Sequence, residues 1–193
     1  AWCWRCAGGT TSSNSDGALT STVQVNQEAG FSMSLYTSNG SGSSFGHGLG
    51  AKPDYFMIKK RDNQARNWYG WHRDLTTPTT AYIRWNLSNA QGNDTQWDST
   101  AHDSTKIYVN NSTTEVNSPS GDSYICYAWR GIDGYSKFGS YNGSGNGARG
   151  GPFIYTGFRP RLLFLKSTGT ADDWIVIDTA RSTVNVTNRS VSY

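Results

Sequence analysis

The sequence predicts an all-β protein made of β-sandwich or jelly-roll-like units, and three observations carry that prediction. The first is the choice of acidic residue: of 14 carboxylates only Glu28 and Glu115 are Glu, the other 12 being Asp. Asp competes with the backbone for hydrogen bonds and favours turns and caps, whereas Glu favours helix interiors. The second is the pairing of 44 Ser and Thr and 22 Gly with 8 Trp, 11 Tyr and 7 Phe. Polar turn formers between aromatic segments suit short strands, and so many aromatics are foreign to a disordered chain. The third is periodicity. No segment sustains apolar spacing at i, i+3, i+4, i+7, while Ala81, Ile83, Trp85 and Leu87 alternate with Thr80, Tyr82, Arg84 and Asn86, the period of a half-buried strand.

Taken in order, residues 7–29 read as an inserted polar loop or arm. Strands are expected at 31–37, 55–59, 66–73, 80–87, 106–109 and 122–130, and again at 134–141, 152–156, 162–166 and 173–179. The segments 55–59 and 162–166 are apolar on both faces, as central strands of a sandwich are. Between them lie Gly/Ser-rich loops at 38–50 and 142–151, and a polar stretch at 88–104 with only Trp97 to anchor it.

The same order of elements occurs twice. Gly30-Phe31-Ser32 recurs as Gly134-Tyr135-Ser136, and Asn39-Gly40-Ser41-Gly42 as Asn142-Gly143-Ser144-Gly145. Gly50-Ala51-Lys52-Pro53 matches Gly157-Phe158-Arg159-Pro160, and Tyr55-Phe56-Met57-Ile58-Lys59 matches Leu162-Leu163-Phe164-Leu165-Lys166. Trp68 and Trp174 follow in turn, and the offsets stay between 103 and 107. This predicts an internal repeat of about 104 residues. Ala1-Trp2-Cys3-Trp4-Arg5 also resembles Cys126-Tyr127-Ala128-Trp129-Arg130. The expected organisation is therefore a closing strand of a preceding unit plus a loop or arm (1–29), a complete unit (30–133) and a partial second unit (134–193). A chain divided in this way is expected to be a piece of a longer polypeptide, or to be completed by neighbouring chains.

Charge narrows the partners. A net charge of +3 lacks the clustered Lys/Arg footprint of a nucleic-acid binder, so no nucleic-acid partner is expected. The longest apolar run, Leu162 to Leu165, is far too short to cross a bilayer, so no membrane insertion is expected either.

Candidate chemical sites each meet a simpler structural reading. Cys3-Trp4-Arg5-Cys6 spells C-x-x-C but does not follow a strand or open a helix, and His47, His72 and His102 are scattered without partners at ligand spacing. Gly145-Asn146-Gly147-Ala148-Arg149-Gly150 fits G-x-G-x-x-G yet leads into a strand, not a helix. His47, between Gly46 and Gly48, reads as a turn histidine, and Asp172-Asp173 as a turn before Trp174. No catalytic residue, metal or cofactor is expected, and the chain reads as non-enzymatic. The remaining candidates are Trp68, Trp71 and His72, close together on one expected strand. Exposed, their flat rings could cover the apolar face of a sugar; buried, they are core filler.

Two stretches resemble a known family. One is Tyr36-Thr37-Ser38-Asn39-Gly40-Ser41 with Gly46-His47-Gly48-Leu49-Gly50, Pro53, Met57-Ile58-Lys59 and Asn67-Trp68. The other is Gly134-Tyr135-Ser136-Lys137-Phe138-Gly139-Ser140-Tyr141 with Gly151-Pro152-Phe153-Ile154-Tyr155-Thr156-Gly157-Phe158-Arg159-Pro160. Together they resemble a recurrent domain of tailed-phage virion proteins, often found downstream of a concanavalin-like or laminin-G-like jelly roll. The resemblance covers roughly residues 1–185. It implies a tail-fibre, appendage or capsid-decorating component on the virion surface, with other virion proteins as partners, a homo-oligomeric state, and contact with the host surface through a glycan. It supplies no catalytic residues.

Overall fold

The computed structural model of the chain describes residues 5–6, 8–62, 65–97, 102–110, 115–145 and 151–180, with the main chain of 191–192. Among these residues the regular structure is strand throughout, in antiparallel sheets, so the all-β reading holds. In chain order the strands are β1 (Ser12–Asn14), β2 (Ser21–Asn26), β3 (Phe31–Thr37), β4 (Ser43–Gly46), β5 (Tyr55–Lys60), β6 (Tyr69–His72) and β7 (Ala81–Arg84). They continue as β8 (Gly92–Asn93), β9 (Lys106–Val109), β10 (Ser123–Trp129), β11 (Leu162–Leu165), β12 (Ile175–Asp178) and β13 (Val191–Ser192).

The main sheet has eight strands in the order β1-β2-β3-β10-β5-β6-β7-β8. At its centre lies β10, paired on one side with β3 (Cys126 opposite Ser34) and on the other with β5 (Cys126 opposite Ile58). A strand zipped along both edges satisfies its backbone donors and acceptors in the ladder, so its side chains are free to be apolar on both faces. Tyr124, Cys126 and Ala128 point to one face, and Tyr127 and Trp129 to the other.

Each face of this sheet carries its own core. On the first, Tyr36, Phe56, Ile58, Tyr69, Trp71, Tyr124 and Cys126 are covered by the two-stranded ribbon β4–β9 and the segment that leads into it. Phe45, Ile107, Val109, Trp97 and Val116 fill that layer at 0–1% exposure. Removing an aromatic or branched aliphatic side chain from water contributes roughly 1.5–3 kcal/mol each. The second face gathers Phe31, Tyr55, Ala81, Ile83 and Trp129 with Trp174, the residue before β12. Trp85 links the layers here: it stacks on Trp174 at 4.3 Å and meets the edge of Phe164 in β11 at 5.2 Å.

Several segments differ from the sequence expectation. Residues 7–29 contain β1 and β2, two strands of the main sheet; Ser21 and Val23 are buried there while Thr22 is exposed. The loop expected at 38–50 contains β4, all four residues of which are buried. Conversely, 134–141 and 152–156 form no strand: apart from a bridge between Ile132 and Ser136, they run without a sheet partner among the described residues. Aromatic residues between turn formers do not make a strand where no neighbouring edge accepts its hydrogen bonds.

Candidate functional site

The local fold separates the three candidate residues. Successive side chains of a strand point to opposite faces, and β6 obeys this through Trp68. Trp71 belongs to the first core, with Tyr69, whereas Trp68 and His72 sit on the side of Tyr127 and Tyr55.

Trp71 is 1% exposed. Its ring stacks on Phe56 at 5.2 Å, the edge of His102 meets it at 4.8 Å, and its Nε1–H donates to the Pro78 carbonyl at 2.6 Å. Every surface of the indole is thereby used in packing. Trp68 is half-buried; its main-chain N–H donates to Asn86 Oδ1 at 3.0 Å, and the Lys59 ammonium stands 5.9 Å above its ring. His72 is also half-buried, its Nδ1 accepting the Asp74 N–H at 3.1 Å. Burial lowers its pKa, with Asp74 opposing and Arg73 reinforcing the effect. Trp68 and His72 are four residues apart on extended chain, about 13 Å, and do not make one platform with Trp71.

His47 and His102 are structural by geometry. His47 is fully buried: Nδ1 accepts the Leu49 N–H at 3.1 Å and Nε2 lies 3.2 Å from the Asp103 carbonyl oxygen. His102 sits edge-on against Phe56, Trp71 and Trp97, with Nδ1 accepting the Tyr108 N–H at 3.1 Å. Burial pushes its pKa down to about 3, helped by Lys52 and His47. Burial also disfavours the charge on Asp103, but donors from Thr105, Lys106 and Tyr108 outweigh it and hold the carboxyl down at about 2.

Cys126 lies buried inside β10, where desolvation raises its thiol pKa well above the usual value and disfavours the thiolate. Cys6 is buried, with Sγ 3.7 Å from the Gln24 carbonyl; Cys3 lies outside the described residues, as does most of the Gly145–Gly150 loop. Asp172 and Asp173 are exposed in the turn before Trp174. Among the described residues no three His, Cys, Asp or Glu side chains converge on a metal-sized site.

What the sequence did not single out is the exposure of five large apolar side chains. Tyr135 is 59% exposed, Tyr141 49%, Phe153 92%, Ile154 49% and Tyr155 72%. Lys137 joins the two segments, donating from Nζ to the Tyr155 carbonyl at 2.8 Å and standing 5.5 Å over the Tyr155 ring. The sequence predicts strands at 134–141 and 152–156, where these residues lie. Their exposure follows from the missing sheet partner, which neither composition nor alternation reveals.

Residues 1–192 match the family described as "Domain of unknown function (DUF7483)". The chain belongs to that family. No curated protein and no solved structure matches it. The DUF7483 chain has exposed aromatic side chains at Tyr135, Tyr141, Phe153 and Tyr155, while Trp71 is in its core and Trp68 half-buried.

Proposed function

We propose that this DUF7483 protein is a non-enzymatic structural module that works by surface contact within a larger assembly. The observation that carries the reading is the exposure of Tyr135, Tyr141, Phe153, Ile154 and Tyr155 on an otherwise well-packed β frame. Large apolar side chains left exposed on two segments that Lys137 ties together are candidates for contact with another molecule. The setting comes from the resemblance to tailed-phage virion domains: a tail-fibre, appendage or capsid-decorating component at the particle surface, beside other virion proteins. Cross-linking mass spectrometry on purified particles tests it. Cross-links from Lys137 to other virion proteins are expected; a protein absent from the particles overturns the assignment.

A second reading, a carbohydrate-binding module of a phage or bacterial surface adhesin, draws on the same open rings. Phe153 is 92% exposed and Tyr155 72%, with the Lys137 ammonium over one face of Tyr155, so the Phe153 ring and the other Tyr155 face could cover a pyranose. A glycan array separates the two. Binding lost in Tyr155→Ala favours the adhesin, and silence across the array leaves assembly as the role of these side chains.

A further inference from the structure

The hairpin β11–β12 has the same pairing register as β5–β6. Phe56 faces Trp71 and Ile58 faces Tyr69 in one; Leu163 faces Ile177 and Leu165 faces Ile175 in the other. With the sequence offsets of 107 on the first strand and 106 on the second, these are corresponding pairs. In the main sheet that face is the first core, with all four residues buried beneath the β4–β9 ribbon. On β11–β12 the corresponding face is open: Leu163 and Ile175 are each 39% exposed, and Leu165 and Ile177 are partly so. The opposite face, with Phe164 and Val176, is turned toward Trp85 and the second core.

Charge is placed at both ends of this open face. Thr179 N–H donates to the Arg161 carbonyl, which extends the ladder by one pair, so Arg161 continues the series 161, 163, 165. At the turn end Asp173 continues the series 173, 175, 177. Both are exposed and make no ion pair within 4.0 Å among the described residues, although Asp173 lies in the electrostatic reach of Lys166 on the same hairpin. The face thus reads Arg161 at one end, four aliphatic residues in the middle and Asp173 at the other.

We propose that this face is a self-association surface on which two copies stack antiparallel. The aliphatic quartets then face each other, and Arg161 of each copy meets Asp173 of the other. A twofold contact requires the patch to complement itself. A face that is apolar at its centre and oppositely charged at its two ends does so only when the copies run antiparallel. Stacked sheets lie about 10 Å apart, within reach of Leu and Ile side chains from both sides. A face of four aliphatic residues with two charged ends is smaller than the ~800 Å² per partner of a standard interface, so a dimer that dissociates on dilution is expected. The inference rests on the proposed assembly role and names its partner, a second copy of the chain.

Sedimentation equilibrium of the full chain across a hundredfold concentration range tests it. Dimerisation is expected, with Ile175→Asp raising the dissociation constant at least tenfold. Arg161→Asp and Asp173→Arg should each weaken the dimer, while the double charge swap restores it, and near-UV circular dichroism should be unchanged in all of them. The swap carries the decision even if Ile175→Asp fails to fold. A monomer at every concentration overturns the inference, as does a dimer indifferent to the single reversals. Cross-links to other virion proteins from a monomeric chain would leave the assembly role standing while overturning this inference.

Discussion

Lys60 forms an ion pair with Asp122 from inside the main sheet: the lysine side chain is 1% exposed and the aspartate 23%. Lys60 ends β5, and Asp122 lies just before β10, so the pair spans the two central strands where their ladder begins. An ammonium group this deep is tolerated only while its partner remains.

Removing the partner should therefore cost more than removing both charges. Asp122→Ala is expected to destabilise the fold by about 3–5 kcal/mol, the cost of an uncompensated buried charge. Replacing Lys60 by Met in the same chain should recover much of that loss. Urea denaturation of the single and double variants measures it, and a loss below 1 kcal/mol for Asp122→Ala would contradict the buried pairing.

The two buried histidines predict an acid limit to stability. Each uses Nδ1 as an acceptor from a main-chain N–H, so protonation removes an acceptor and places a charge against apolar neighbours. Around them the titratable groups are Lys52, Asp103 and each other for His102, and Asp103 and Asp16 for His47. Both pKa values are lowered from 6.5, to about 3 for His102, so between those limits the unfolded chain binds more protons. Stability should be complete above about pH 7 and fall as the pH drops below 6.5, by up to about 1.4 kcal/mol per pH unit for each histidine. Asp103 acts lower: its stabilisation is present above its usual 3.8 and is lost as pH falls toward about 2. Midpoints of urea unfolding from pH 7.5 to 4 check this, and a His102→Gln chain should show a shallower slope.

Two glycines at the start of similar sequence stretches differ in their surroundings. Gly30 and Gly134 both have positive φ, +64° and +75°. At Gly30 an added Cβ would sit 2.5 Å from the Arg130 carbonyl oxygen and 2.9 Å from Ile132, whereas at Gly134 it would meet nothing within 4 Å. Gly30→Ala is expected to cost about 2–3 kcal/mol or more, combining backbone strain with a clash, and Gly134→Ala about 1 kcal/mol from strain alone. Thermal unfolding of the two variants provides the comparison.

Much of the frame was legible because an apolar run leaves a plain record. Tyr55-Phe56-Met57-Ile58, Tyr124-Ile125-Cys126-Tyr127 and Leu162-Leu163-Phe164-Leu165 are such runs and each forms a strand, but β11 is an edge strand of a three-stranded sheet with Leu163 exposed, not the central strand expected at 162–166. β2 was harder to see, since Ser21 and Val23 are buried by a small polar and a small apolar side chain alternating with Thr22 and Gln24. β4 hides in a Gly/Ser-rich stretch because its small residues lie close under neighbouring backbone: a Cβ on Gly17 would come within 2.5 Å of Ser44 O and Phe45 Cα. The exposure at 135–155 was illegible for the opposite reason. Tyr135 and Phe153 belong to short aromatic segments between turn formers, which read as strands, and the other strands leave them without an edge to join among the described residues.

Trp71 and Trp68 give the sharpest contrast, because three residues along one strand separate a core residue from a surface one. Trp71 is stacked on Phe56, held edge-on by His102 and hydrogen-bonded to Pro78, so Trp71→Ala should open a large cavity and cost about 3–5 kcal/mol. Trp68 is half-buried beneath Lys59, and its truncation should cost about 1 kcal/mol, chiefly the contacts with Tyr127 and the Lys59 ammonium. If a glycan binds at 68–72, Trp68→Ala abolishes binding in a chain that still unfolds near the wild-type midpoint. Loss of binding with Trp71→Ala carries no such meaning, because the fold itself is weakened. Denaturation midpoints and glycan-array signals measured on the same two variants therefore separate packing from recognition at this strand.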